Sequence, residues 1–139
     1  MRIPLGLSIL LLSMLLGCRG ESVPNDITWI ETDLVQEELT LSLGYRGAVK
    51  PGSAVEPVAA LRMGGIPVDN AMVFNSLITT GTAEVLDEEI ATVYEPDAGI
   101  YGRGSLQIPA DSTACLMRFR IVLPDHQGEV VQDVALQGL

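Results

Sequence analysis

A chain of 139 residues fits one small domain, and its 18 Asp plus Glu against 8 Lys plus Arg set a formal net charge of -10. That charge repels phosphate backbones, and the bases are scattered rather than gathered into a stripe, so nucleic-acid binding has no electrostatic footing. One His and two Cys are too few for a conventional structural zinc site or a disulfide framework, and the 47% hydrophobic content is inflated by an apolar block at the N-terminus.

In that block Arg2 supplies one positive charge and residues 3–17 carry none, with Leu at 5, 7, 10, 11, 12, 15 and 16. This is a signal-peptide profile. As a helix it reaches roughly 22 Å, short of the ~30 Å hydrocarbon core, which disfavours a permanent span. The block ends Leu15-Leu16-Gly17-Cys18 and resembles the bacterial lipoprotein signal. Leu15 stands at the motif's Leu position and Gly17 at its small residue; Leu16 departs from the smaller side chain commoner there.

The resemblance implies that residues 1–17 are removed and that Cys18 is lipidated with two or three acyl chains. One chain at about 0.8 kcal/mol per buried methylene holds only marginally, and more than one gives stable attachment. It also implies a bacterial cell envelope location facing the periplasm. In a diderm host the outer membrane is favoured, because Arg19 is not the Asp linked to inner-membrane retention. The competing reading is an ordinary secretory signal that contains a Cys. Residues 1–17 hold one base and no acid, so their removal takes the net charge to about -11 by subtraction. The anchor, not electrostatics, must then hold the protein to an anionic membrane.

Residues 18–27 form the lipidated Cys and a polar tether, with Gly20 and Pro24 and no apolar periodicity, and residues 28–139 form the domain. The only helix candidate, residues 33–39, is short and close to an alternating pattern. Residues 38–45 place an apolar side chain at every second position, as a strand with one buried face does. A Lys50-Pro51-Gly52-Ser53 turn leads to strands over 55–63 and 71–80, with Pro57 suggesting an edge or a bulge. Short strands over 83–86 and 90–94 flank an acidic turn at Asp87-Glu88-Glu89, and another covers 101–108.

The clearest pattern is Met117-Arg118-Phe119-Arg120-Ile121-Val122-Leu123, with apolar side chains on one face and two arginines on the other. Residues 124–128 read as a hairpin loop into a closing strand over 129–136. Seven or eight short strands with regular turns predict an all-β fold, an immunoglobulin-like antiparallel β-sandwich.

Two resemblances concern that domain. Asp97-Ala98-Gly99-Ile100-Tyr101 resembles the corner of immunoglobulin-type sandwiches, in which a Tyr hydrogen-bonds back to upstream backbone. Arg103 stands where antibody domains have Cys, and Trp29 is too early to be their core Trp. Over residues 55–136, the run from Gly65 to Val73 followed by Gly99 and Tyr101 is similar to the small envelope sandwiches of the YtkA-like and FixH-like group and to transthyretin-like modules. For the first of these groups the resemblance implies a metal or oxidase-assembly context.

His126 in the hairpin loop offers an acid, base or ligand, or is simply a soluble turn residue; no nucleophile has a spacing-defined partner for it. Cys115, Met117, Met63 and Met72, with His126, are the soft donors that Cu(I) selects, yet the same side chains suit core packing. With Cys18 acylated, Cys115 is a buried thiol or pairs between molecules. Asp87, Glu88 and Glu89 could face a hard cation but lack the spacing of a calcium loop. Arg118 and Arg120 either pair with acids on neighbouring strands or receive an anionic partner. Gly99, Gly102 and Gly104 lack the spacing of a phosphate cradle and read as turn and bulge residues.

The expectation is a non-enzymatic, membrane-anchored envelope lipoprotein with a binding or accessory-assembly role. It needs no cofactor, and its partner is an envelope protein or a small ligand. The alternative is a copper chaperone or sensor lipoprotein.

Overall fold

A computed structural model describes residues 26–139. In chain order its strands are β1 (Thr28–Gln36), β2 (Leu39–Arg46), β3 (Ala54–Met63), β4 (Ile66–Pro67), β5 (Met72–Ile78), β6 (Val85–Ala91), β7 (Val93–Glu95), β8 (Ile100–Gly102), β9 (Leu106–Gln107), β10 (Leu116–Val122) and β11 (Glu129–Ala135). Seven have seven to ten residues, and the other four are segments of two or three. All pairings are antiparallel. One sheet runs β1-β2-β3-β8-β7, with β4 and β9 added along β3; the other runs β11-β10-β5-β6. The molecule is an all-β sandwich. Without β1, the orders β2-β3-β8-β7 and β11-β10-β5-β6 match the A-B-E-D and G-F-C-C′ sheets of immunoglobulin domains.

The alternation in the sequence becomes the core. Met117, Phe119 and Ile121 of β10 are fully buried, while Arg118 and Arg120 between them point to the other face. From the opposite sheet come Leu41, Leu43 and Leu61, the first and last of which are directly paired. Burying each such side chain contributes about 1.5–3 kcal/mol. Gln36 of β1 bonds to Gln132 of β11 at 2.5 Å, tying the two sheets along one side.

Several strands depart from the sequence pattern for identifiable reasons. Residues 33–39 form the end of β1, a turn and the start of β2, not a helix. β1 carries two register shifts against β2, and Asp33 and Glu37 take left-handed backbone conformations. These irregularities break the period of two that makes a strand recognisable. Gly44 lets β1 come close: a Cβ there would collide with the carbonyl oxygen of Thr28.

Asp87, Glu88 and Glu89 are not a turn; they lie within the continuous strand β6, which shifts register twice against β5. After β6 the chain changes sheets at Thr92, whose amide and hydroxyl both donate to the Val73 carbonyl at 2.9 Å. The segment expected as one strand over 101–108 divides into β8 and β9 around Arg103, at φ 65°. Pro57 sits in the interior strand β3, between the positions paired with β9 and with β8. The ladder is interrupted there, so the missing N–H of proline costs no sheet bond.

Candidate functional site

β1 starts opposite Tyr45 and ends opposite Leu39, so the domain's N-terminal start and the β1–β2 turn lie at opposite ends of the sandwich. Nine strand residues separate those ends by roughly 25 Å. At the far end three connections converge: the β1–β2 turn, the β3–β4 hairpin and the loop between β10 and β11. The β3–β4 hairpin turns on Gly64 and Gly65, both at positive φ, between the paired residues Met63 and Ile66. A two-residue turn of that form demands left-handed backbone at both positions, which glycine supplies without strain.

Between these loops lies a groove made of two adjoining clefts that share Met63 and Gln127. The first, about 270 Å³, is lined on its apolar side by Leu39, Met63, Leu123 and Val130. The second, about 320 Å³, is lined by Ile66, Pro67, Val68 and Pro124. Ile66 is 69% exposed, the highest value among the large exposed hydrophobic side chains. Glu37 and Glu38 line the first cleft and Asp125 the second, and among the described residues no Lys or Arg lines either. Among the described residues none of these three carboxylates has an ion pair.

One buried hydroxyl fixes the Val68 wall. Tyr101, 2% exposed, donates to the Val68 carbonyl at 2.5 Å and accepts from the Ala71 amide at 3.2 Å. Its ring meets Tyr94 in a tilted contact, centroids 5.0 Å apart. Burial pushes the Tyr101 pKa up, partly offset by the Ala71 amide. The hydroxyl therefore bonds to upstream backbone, but across some thirty residues, and from a strand in the E position rather than the F position of an immunoglobulin domain. It joins the two stretches, 65–73 and 99–101, on which the envelope-sandwich resemblance rests.

The two arginines of β10 are committed to neighbouring acids. Arg118 makes paired bonds of 2.8 and 3.0 Å to Asp133, its cross-strand partner. Arg120 lies over the Phe74 ring, 4.3 Å from its centroid, and makes paired bonds of 2.9 and 2.6 Å to Glu89 on β6. Those bonds hold the Glu89 carboxyl below its ordinary range despite some desolvation, and hold both guanidiniums above theirs. Asp87 accepts from the Glu88 amide and, at 2.7 Å, from the Gln107 amide, tying β6 to β9.

A further ion cluster, not visible in the sequence pattern, surrounds Arg46. Its Nη1 donates to Glu56 at 3.0 Å and to Glu95 at 3.2 Å. Burial pulls the Arg46 pKa down, but these bonds and charges outweigh it and raise it. Gly102 makes room for the cluster: a Cβ there would lie 2.5 Å from Glu95 Oε2.

The soft donors are not assembled on one surface. Cys115 and Met117 belong to the core, 1% and 0% exposed, and burial pushes the Cys115 thiol pKa up. Met63 lines the groove, and Met72 is exposed at the start of β5. The backbone of His126 lies in the 3-10 turn Pro124–His126 of the β10–β11 loop; its side chain is outside the described residues. So are the leader, residues 1–17, and Cys18. Among the described residues no cluster of three or more His, Cys, Asp or Glu could hold a metal ion. Gly99 takes a positive φ in the β7–β8 turn, and Gly104 leaves space for Ile90, whose Cδ1 a Cβ would approach at 2.6 Å.

No protein-family model, curated protein or solved structure matches this chain.

Proposed function

We propose that the chain is a non-enzymatic lipoprotein of the bacterial envelope. Cys18 carries the acyl chains, residues 18–27 are the tether, and the sandwich faces the periplasm in a binding or accessory-assembly role. The observation that carries this reading is the uncharged block ending Leu15-Leu16-Gly17-Cys18. Thr28, where the tether joins, lies at the opposite end of β1 from Gln36, the first residue of the first cleft. Copper carriage, the alternative, requires soft donors on one accessible surface, whereas Cys115 and Met117 face the core.

Metabolic labelling with a fatty acid tests the anchor. The parent chain incorporates label and fractionates with membranes, and Cys18→Ser loses the label and is released or misprocessed. Unchanged label in Cys18→Ser rejects the assignment.

A further inference from the structure

We propose that the groove at the end of the sandwich binds an extended segment of a partner protein in which Lys or Arg alternates with aliphatic side chains. The inference rests on the binding role argued above and names its ligand class.

Three features select that chemistry. Leu39, Met63, Leu123, Ile66 and Val68 offer apolar contact in two adjoining clefts, which a chain running from one to the other can use together. Asn70 and Gln127 also line it, and side-chain amides can both donate to and accept from a peptide backbone. Glu37, Glu38 and Asp125 supply negative charge, with no Lys or Arg among the described residues of either lining. Elsewhere the domain neutralises its arginines internally, as at Arg46, Arg118 and Arg120. These three carboxylates have no such partner among the described residues. An anionic ligand is repelled here and a neutral one gains nothing from the rim, whereas a cationic aliphatic segment uses both parts of the lining.

The test is titration of the full chain, purified in a neutral detergent, with a synthetic nine-residue peptide alternating Leu and Lys. A twin with Glu in place of Lys serves as the control. The expected result is saturable binding of the lysine peptide only, weakening about tenfold when salt is raised from roughly 0.05 to 0.5 M. The combined variant Glu37→Gln, Glu38→Gln, Asp125→Asn should lose about tenfold in affinity at low salt, most of its salt dependence going with it. Ile66→Ser, a change at an exposed position, should lose about tenfold at every salt concentration.

Absence of saturable binding, equal binding of the glutamate twin, or unchanged affinity in both variants overturns the proposal. The anchor is judged separately. Peptide binding by a chain that takes up no fatty acid sinks the lipoprotein reading and spares the groove; acylation without peptide binding does the reverse.

Discussion

Tyr101→Phe isolates a hydroxyl that links the buried core to the groove wall. The substitution keeps the ring and its contact with Tyr94 and removes only the bonds to the Val68 carbonyl and the Ala71 amide. Each bond is worth about 1 kcal/mol net, and leaving a buried partner unsatisfied raises the cost, so the loss should be about 2–3 kcal/mol. For a domain of this size that lowers Tm by about 8–12 °C. Urea denaturation should show a lower midpoint with an unchanged slope, because the surface exposed on unfolding is the same. The Ala71 amide, which loses its acceptor, should also exchange its hydrogen faster while amides of β10 change only with global stability. The sign with pH follows from the raised pKa of Tyr101. The hydroxyl's contribution is complete below the ordinary tyrosine value of about 10 and fades as pH rises through the higher folded value, so the gap between parent and variant narrows only in strong alkali. A loss below about 0.5 kcal/mol, or unchanged exchange at Ala71, refutes the claim that this hydroxyl holds the wall.

Three further tests probe the frame around the site. A double-mutant cycle on Arg120→Ala and Glu89→Ala should give a coupling of about 1 kcal/mol at neutral pH. Because the Glu89 pKa is lowered, that coupling is present above the ordinary carboxylate range and disappears as pH falls through the lower folded value; a coupling unchanged in acid contradicts it. Gly44→Ala should destabilise the domain by about 2–3 kcal/mol in urea titration, since the obstructing atom is the Thr28 backbone oxygen, which cannot rotate aside; a neutral effect would mean that β1 does not approach as described. Cys115 should resist alkylation in native buffer and react fully in denaturant, as mass spectrometry would show, and rapid native alkylation contradicts its burial.

The legible parts of this fold are those in which a strand has one wet and one dry face for its whole length. β10 meets that condition, and β2 does as far as Leu43: Leu39, Leu41 and Leu43, and Met117, Phe119 and Ile121, stand out because the residues between them are less buried. β1 was hidden by its bulges, and β6 by three consecutive acids that look like a turn yet bond to Arg120 and Gln107 from within a strand. The pairing of Arg118 with an acid on the next strand was one of the two readings that alternation left open. That Arg120 reaches Glu89 across Phe74 required knowing that β5 lies between β10 and β6, a long-range order that no local pattern contains. The groove was illegible for the same reason, since Glu37, Ile66 and Asp125 are brought together only by the ends of three separate connections.

The direction of the chain through β1 gives the proposed anchor and the proposed groove their relation. Had the domain begun with a strand running the other way, a tether of ten residues, spanning at most about 35 Å, would have joined at the groove end and brought its carboxylates nearer to anionic headgroups. β1 instead carries the chain away from its start by its full length before the first groove residue, Gln36, appears. On the proposed reading, the net negative charge that disfavours contact with the membrane then works in the same direction as the topology, keeping the distal end free for a cationic partner. Strand direction and charge are independent properties of the sequence, and either could have opposed the other. Reversing the attachment in a circular permutant, with the leader and tether fused ahead of Gly65 and the ends near Thr28 and Gln137 joined, should therefore preserve folding and acylation while lowering access of the lysine peptide to the groove on vesicles. Full peptide binding in that arrangement would show that orientation contributes nothing.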